Sequence, residues 1–109
     1  MFSMAVNNTD DHLRNHAFLL SDKGWILSPL YDVNPIPYGN ELSLLIDDSD
    51  NRISVELAIS TASRFGIGEE DAKRMAEDIM TVVSENWEAL AKKYGLSRGM
   101  IEDMRPAFE

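Results

Sequence analysis

Three polar side chains stand at spacings that serve phosphoryl transfer: Asp10, Asn15 and Asp32. Transfer of a phosphoryl group to a hydroxyl needs a carboxylate that accepts the hydroxyl proton. An amide five residues further on can hold a metal, and a second carboxylate can hold the metals that bridge the nucleotide phosphates. The +5 interval between Asp10 and Asn15 lets the loop turn once, so that carboxylate and amide oxygen address different partners. Asp32 follows after Ala17-Phe18-Leu19-Leu20 and Trp25-Ile26-Leu27. These read as two strands joined by the four-residue loop Ser21-Asp22-Lys23-Gly24. The hairpin carries the chain away from Asn15 and returns it at Asp32.

The order Thr9-Asp10-Asp11-His12-Leu13-Arg14-Asn15, a hairpin, then Tyr31-Asp32 resembles the C-terminal part of HipA-like serine/threonine kinases, the toxins of bacterial toxin–antitoxin pairs. The resemblance continues through Leu57-Ala58, Ala62-Ser63-Arg64-Phe65-Gly66 and the long helix beyond. It implies that Asp10 is the catalytic base and that Asn15 and Asp32 are the ligands of Mg²⁺ bound with ATP. It implies a protein substrate, a small helix-turn-helix antitoxin as partner, and a bacterial cytoplasmic setting. No His-Arg pair precedes Asp10, and Val33-Asn34 stands where general protein kinases have Phe-Gly, both in keeping with a divergent branch.

The same residues admit plainer readings. Asp10 and Asp11 could cap a helix and fill its first turn. His12 and His16 are four apart and would share a face on a helix, a spacing that serves zinc, but Leu13 occupies the place of the Glu that such a motif requires. His12 is expected to hydrogen-bond and stiffen the loop. Arg14 is expected either to pair with a loop carboxylate such as Asp32 or to lie exposed. Asp47-Asp48-Ser49-Asp50-Asn51 lacks the Gly and Glu of a calcium loop, with Ile53 and Ile59 in their places counted from Asp48, and reads as a solvated turn.

A chain of 109 residues with 44% hydrophobic residues and two Trp is one folded domain spanning residues 1–109. Its net charge of −9 repels phosphate backbones, which argues against direct nucleic-acid binding. Without Cys it has neither disulfides nor zinc–thiolate sites. The first residues lack the basic flank and apolar length of a signal peptide, and no apolar run reaches the 18 or so residues of a membrane span.

The elements that must position the trio follow from periodicity. Met1–Val6 reads as the end of a helix, and a catalytic loop opening at residue 7 points to a fragment or truncated gene product. Pro29, Pro35 and Pro37 impose an irregular loop, and Glu41–Ile46 is a candidate strand or short buried segment. Ser54 caps a helix that Gly66 ends. A long helix from about Glu69 to Tyr94 carries acids in its first turn, Lys92 and Lys93 in its last, and an apolar stripe of Ala72, Met75, Ala76, Ile79, Val83, Trp87, Leu90 and Tyr94, expected as core. Ser97 caps a last short helix. The expected class is α+β, mainly α: part of a protein-kinase-like C-lobe, with a catalytic loop and hairpin packed on three C-terminal helices. No Gly-rich phosphate loop and no strand Lys for the α/β-phosphates occurs in these residues. The chain alone is therefore expected to be a very poor kinase or none, and a second function, docking of an antitoxin or other partner by an inactive lobe, stands beside the first.

Overall fold

The computed structural model describes all 109 residues. A short helix α1 (Phe2–Ala5) leads into the polar loop of residues 7–16, which includes a single 3₁₀ turn at Leu13–Asn15. Strands β1 (Phe18–Ser21) and β2 (Gly24–Leu27) pair antiparallel as Phe18↔Leu27, Leu19↔Ile26, Leu20↔Trp25 and Ser21↔Gly24. The connection is therefore two residues, Asp22-Lys23, rather than the four expected. Its positive φ falls on Gly24 (φ +100°), where the missing Cβ lets the chain close the turn without strain.

After an irregular stretch come α2 (Val55–Thr61), α3 (Glu69–Lys93) and α4 (Arg98–Met104). The class is α+β, mainly helical, as the sequence indicates. Ser54 Oγ accepts from Leu57 N at 3.1 Å, and Ser97 Oγ from Met100 N at 3.3 Å, so both helices begin at the expected caps. α2 tightens into a 3₁₀ turn at Ala62–Phe65 before Gly66. Gly66 (φ +72°) and Gly95 (φ +85°) each end a helix in the left-handed conformation. Ile67 N donates to Ala62 O and Leu96 N to Ala91 O, which satisfies carbonyls that the helix leaves open.

The stretch Glu41–Ile46 is not a strand. Only Glu41 pairs, with Arg52, as an isolated bridge. Leu42 N donates to Asn51 O at 2.8 Å and Ile53 N to Asn40 O at 3.0 Å, and Asn51 Nδ2 donates to the Leu42 carbonyl at 2.7 Å, so the pairing stops at one bridge. Between these ends Asp47 Oδ1 accepts from Ser49 N and Asp50 N, both at 2.7 Å, which makes residues 47–50 a self-capped turn.

The core lies where α1 crosses α3. Ala5, Val6 and Val83 form its centre, with Val33, Ile79 and Phe108 packed around them. At the far end Trp87 stacks on Phe108, ring centroids 4.7 Å apart and planes 8° from parallel. The Arg105 guanidinium lies 5.3 Å from the centre of the Trp87 ring, which ties the tail of α4 to α3. The stripe on α3 is only partly core. Ala72, Ala76, Val83 and Trp87 are buried, while Met75, Leu90 and Tyr94 stay exposed. A 25-residue helix is about 38 Å long, and the short helices packed on it cover only part of that length. No helix is long and apolar enough to cross a membrane.

Candidate functional site

The loop of residues 7–16 is held by its own first residues. Asn7 and Asn8 are buried, although Asn is ordinarily a surface residue. Asn7 adopts φ +50°, a left-handed conformation that Asn tolerates better than most residues. Its amide donates to Ile36 O at 2.5 Å, and Ile36 N donates back to Asn7 O at 3.1 Å. Asn8 Oδ1 accepts from Asn34 N at 3.2 Å. Thr9 O accepts from both the backbone N (3.0 Å) and the hydroxyl (2.8 Å) of Ser43. The segment that follows Asp32 is thus stitched to the three residues that precede Asp10. Gly39 is part of this seam, because a Cβ there would come within 2.7 Å of Thr9 Cγ2.

Within this frame Asp10 is exposed at a turn, and Asn15 is buried at the end of the 3₁₀ turn. Asp32 is exposed at φ +54°. Its Oδ1 accepts from Asn34 Nδ2 at 2.8 Å, and Val33 next to it packs into the core. The Tyr31 hydroxyl donates to the Arg14 carbonyl at 2.8 Å. That bond joins the residue before Asp32 to the residue before Asn15, so the two stretches carrying the amide and the second carboxylate are joined directly.

Other loop residues have structural duties. Asp11 bridges Ser3 Oγ (3.0 Å) and His16 Nε2 (2.8 Å), which anchors the loop to α1. His12 and His16 flank the 3₁₀ turn, both in extended conformation, so they share no helical face. With His16 bound to Asp11 and no cluster of three His, Cys, Asp or Glu side chains present, the zinc reading has no ligand set. His12 does not play the bonding role expected of it: its Nδ1 is buried without a partner. Arg14 contributes its carbonyl rather than its guanidinium, which lies exposed.

Asn15 and Asp32 offer an amide oxygen and a carboxylate, the hard oxygen donors that suit Mg²⁺, and Asn34 engages only one of the Asp32 oxygens. The donor chemistry fits the cation that phosphoryl transfer uses. Tyr31, Asn7, Asn8 and Asn34 carry the scaffold, and sequence reasoning gave none of them a hydrogen-bonding role. The one available signal was the density of Asn at residues 7, 8, 15 and 34 in loops, where amides serve as both donors and acceptors.

No curated protein and no solved structure matches this chain. A family model does: that of the HipA-like C-terminal domain, over residues 1–87. The match takes in the loop of Asp10 and Asn15, the hairpin, Tyr31-Asp32 and α3 as far as Trp87, and on that extent the chain belongs to the family of the HipA-like C-terminal domain.

Proposed function

We propose that this domain carries the proton-accepting and cation-holding side of a HipA-like protein serine/threonine kinase of a toxin–antitoxin system. The observation that supports it is the family match over a segment whose loops hold Asp10, Asn15 and Asp32 in one hydrogen-bonded frame. In this reading the exposed Asp10 carboxylate orients the substrate hydroxyl and accepts its proton. Asn15 and Asp32 hold Mg²⁺ with ATP, and the bound cation supplies neutralisation of charge on the phosphates. The frame contributes by fixing these groups before the substrate arrives, which lowers the cost of orienting them.

These 109 residues hold no Gly-rich phosphate loop and no phosphate-gripping strand Lys. The chain by itself is therefore a weak nucleotide binder, and phosphoryl transfer needs those parts to be supplied. Titration of the purified chain with Mg²⁺ and ATP to millimolar concentration should shift the amide resonances around Asn15 and Asp32. Asp32→Ala should abolish those shifts and Asp10→Ala should leave them. In a complete kinase carrying this domain, Asp10→Ala should cut phosphorylation by about 10²–10⁴-fold. Full activity after that change would remove Asp10 as the base.

A second reading, a docking lobe for an antitoxin or another protein, is favoured by a different observation. An apolar groove of about 470 Å³ runs between α1, α3 and α4, walled by Phe2, Val83, Trp87, Leu90 and Tyr94. If Mg²⁺ and ATP shift nothing, this reading takes precedence.

A further inference from the structure

Only two residues other than Gly have positive φ, Asn7 and Asp32. Asp, like Asn, tolerates that left-handed backbone conformation better than most residues, and at Asp32 the surroundings fix it. Four restraints surround it. Upstream, the Tyr31 hydroxyl is bonded to Arg14 O at 2.8 Å. Downstream, Val33 is packed into the core, and Asn34 N is bonded to Asn8 Oδ1 at 3.2 Å, with Asn8 only 2% exposed. Asn34, so anchored, turns its amide onto Asp32 Oδ1 at 2.8 Å. The carboxylate is therefore held by its flanks on both sides rather than by a long-range partner of its own.

The flank on the Tyr31 side is the one that reaches the other ligand. Arg14 O belongs to the 3₁₀ turn that ends at Asn15, so the Tyr31 hydroxyl couples the two stretches across 17 residues of sequence. It takes a main-chain acceptor, so the bond does not depend on which side chain stands at residue 14.

We infer that Tyr31 is a positioning residue: its hydroxyl sets the register of the Asp32 carboxylate against Asn15 and thereby the affinity of the pair for a divalent cation. The inference rests on the metal-holding role proposed above and deepens it. Tyr31 touches neither cation nor substrate. It removes the freedom of the Asp32 loop to drift from the Asn15 turn, freedom that would otherwise be lost on binding.

The test uses the chain as it is, with Mn²⁺ as probe and selective paramagnetic broadening of amide resonances as readout, and compares Tyr31→Phe, Asp32→Ala and Tyr38→Phe. Tyr38 is 81% exposed and serves as the control for losing a phenol hydroxyl. Wild type should broaden around Asn15 and Asp32 with one midpoint. Tyr31→Phe should raise that midpoint roughly three- to tenfold, the factor that one neutral hydrogen bond contributes. Its melting temperature should stay near that of wild type, and Tyr38→Phe should behave as wild type.

Without metal, Tyr31→Phe should also bring exchange broadening to the amides of Asp32 and Asn15 and leave the amides of α3 sharp. Absence of Mn²⁺ broadening in wild type, or its survival in Asp32→Ala, would overturn the metal site itself. Loss in Asp32→Ala with wild-type affinity and sharp metal-free amides in Tyr31→Phe would leave the site standing and overturn the role of Tyr31.

Discussion

At the scale of single residues, the site depends on side chains that do no chemistry. Asn8 is buried so that its carbonyl oxygen can hold Asn34 N, and Gly39 is small so that the chain can pass Thr9. Gly39→Ala would place a methyl 2.7 Å from Thr9 Cγ2. Thr is stiff at χ1, so relief requires the backbone of either segment to move. The variant should lose about 1 kcal/mol or somewhat more in denaturant unfolding. Adding Thr9→Ser, which deletes the opposing methyl and keeps the hydroxyl, should recover most of the loss, so the pair should be non-additive. Equal instability with and without Thr9→Ser would show that the close approach is not what residue 39 requires.

The candidate site residues and their scaffold were unequally legible in the sequence. Asp10, Asn15 and Asp32 are separated by intervals that a reader can count. The hold of Asn8 on Asn34 spans 26 residues and that of Tyr31 on Arg14 spans 17. Nothing in a single sequence pairs one Asn with a distant amide rather than with solvent.

At the scale of elements, the helices and hairpin were legible because each carries its own start and stop. Ser54, Gly66, Gly95 and Ser97 act through hydrogen bonds within a few residues, which a local pattern records. The strand reading of residues 41–46 failed because the apolar alternation is local, while its one β-bridge, Glu41 with Arg52, depends on a partner eleven residues away. Tertiary context decides strands more than it decides helices.

The join between α3 and the tail of α4 is the element-level contact most open to test. Phe108 stacks on Trp87 and borders the core formed by Ala5, Val6 and Val83. Phe108→Ala should destabilise the domain by about 3 kcal/mol, at the low end for a large aromatic because the site is partly open. Phe108→Leu should cost less than half as much. In hydrogen exchange, the amides of α4 should lose protection in Phe108→Ala while the Leu20↔Trp25 pair of the hairpin is unchanged. Uniform loss across the domain would mean that α3 and α4 open as one unit.

At the scale of the whole molecule, charge and surface set the behaviour in solution. Arg105 donates to Glu102 (3.0 Å), Glu109 (2.7 Å) and Glu88 (3.3 Å), and Lys92 lies 2.6 Å from Glu88. Lys92 first and Arg105 second hold the Glu88 carboxyl below its ordinary value, and Arg105 does the same for Glu102. A carboxylate whose folded pKa lies below its unfolded value of 4.5 adds stability that is fully present above that pH and is lost as pH falls through the folded value. These groups are exposed, so each contribution is small and salt-sensitive. The melting temperature should be flat from pH 7 to about 5 and fall below about 4.5, and Arg105→Gln should shallow the fall. An unchanged acid limb in Arg105→Gln would assign the loss to other carboxylates, such as Asp50, which Arg52 lowers to about 2.

The chain exposes 7742 Å², whereas a compact protein of its mass exposes about 6,100 Å². Its radius of gyration is 15.3 Å, against about 13 Å for its length. Only 15 of 109 residues are buried, and the exposed apolar side chains include those of the hairpin, where Leu20 and Trp25 pair across the strands, each 71% exposed. Since those side chains leave little water on folding, their replacement costs little. Trp25→Thr keeps a β-former and should change unfolding free energy by less than about 1 kcal/mol, the worth of one cross-strand pair. It should instead act on association, because an apolar two-stranded ribbon with both edges open is a surface that invites pairing. Sedimentation velocity at increasing concentration should show wild type associating before Trp25→Thr does. A large loss of stability with no change in association would place Trp25 in a packed core and contradict the exposed hairpin.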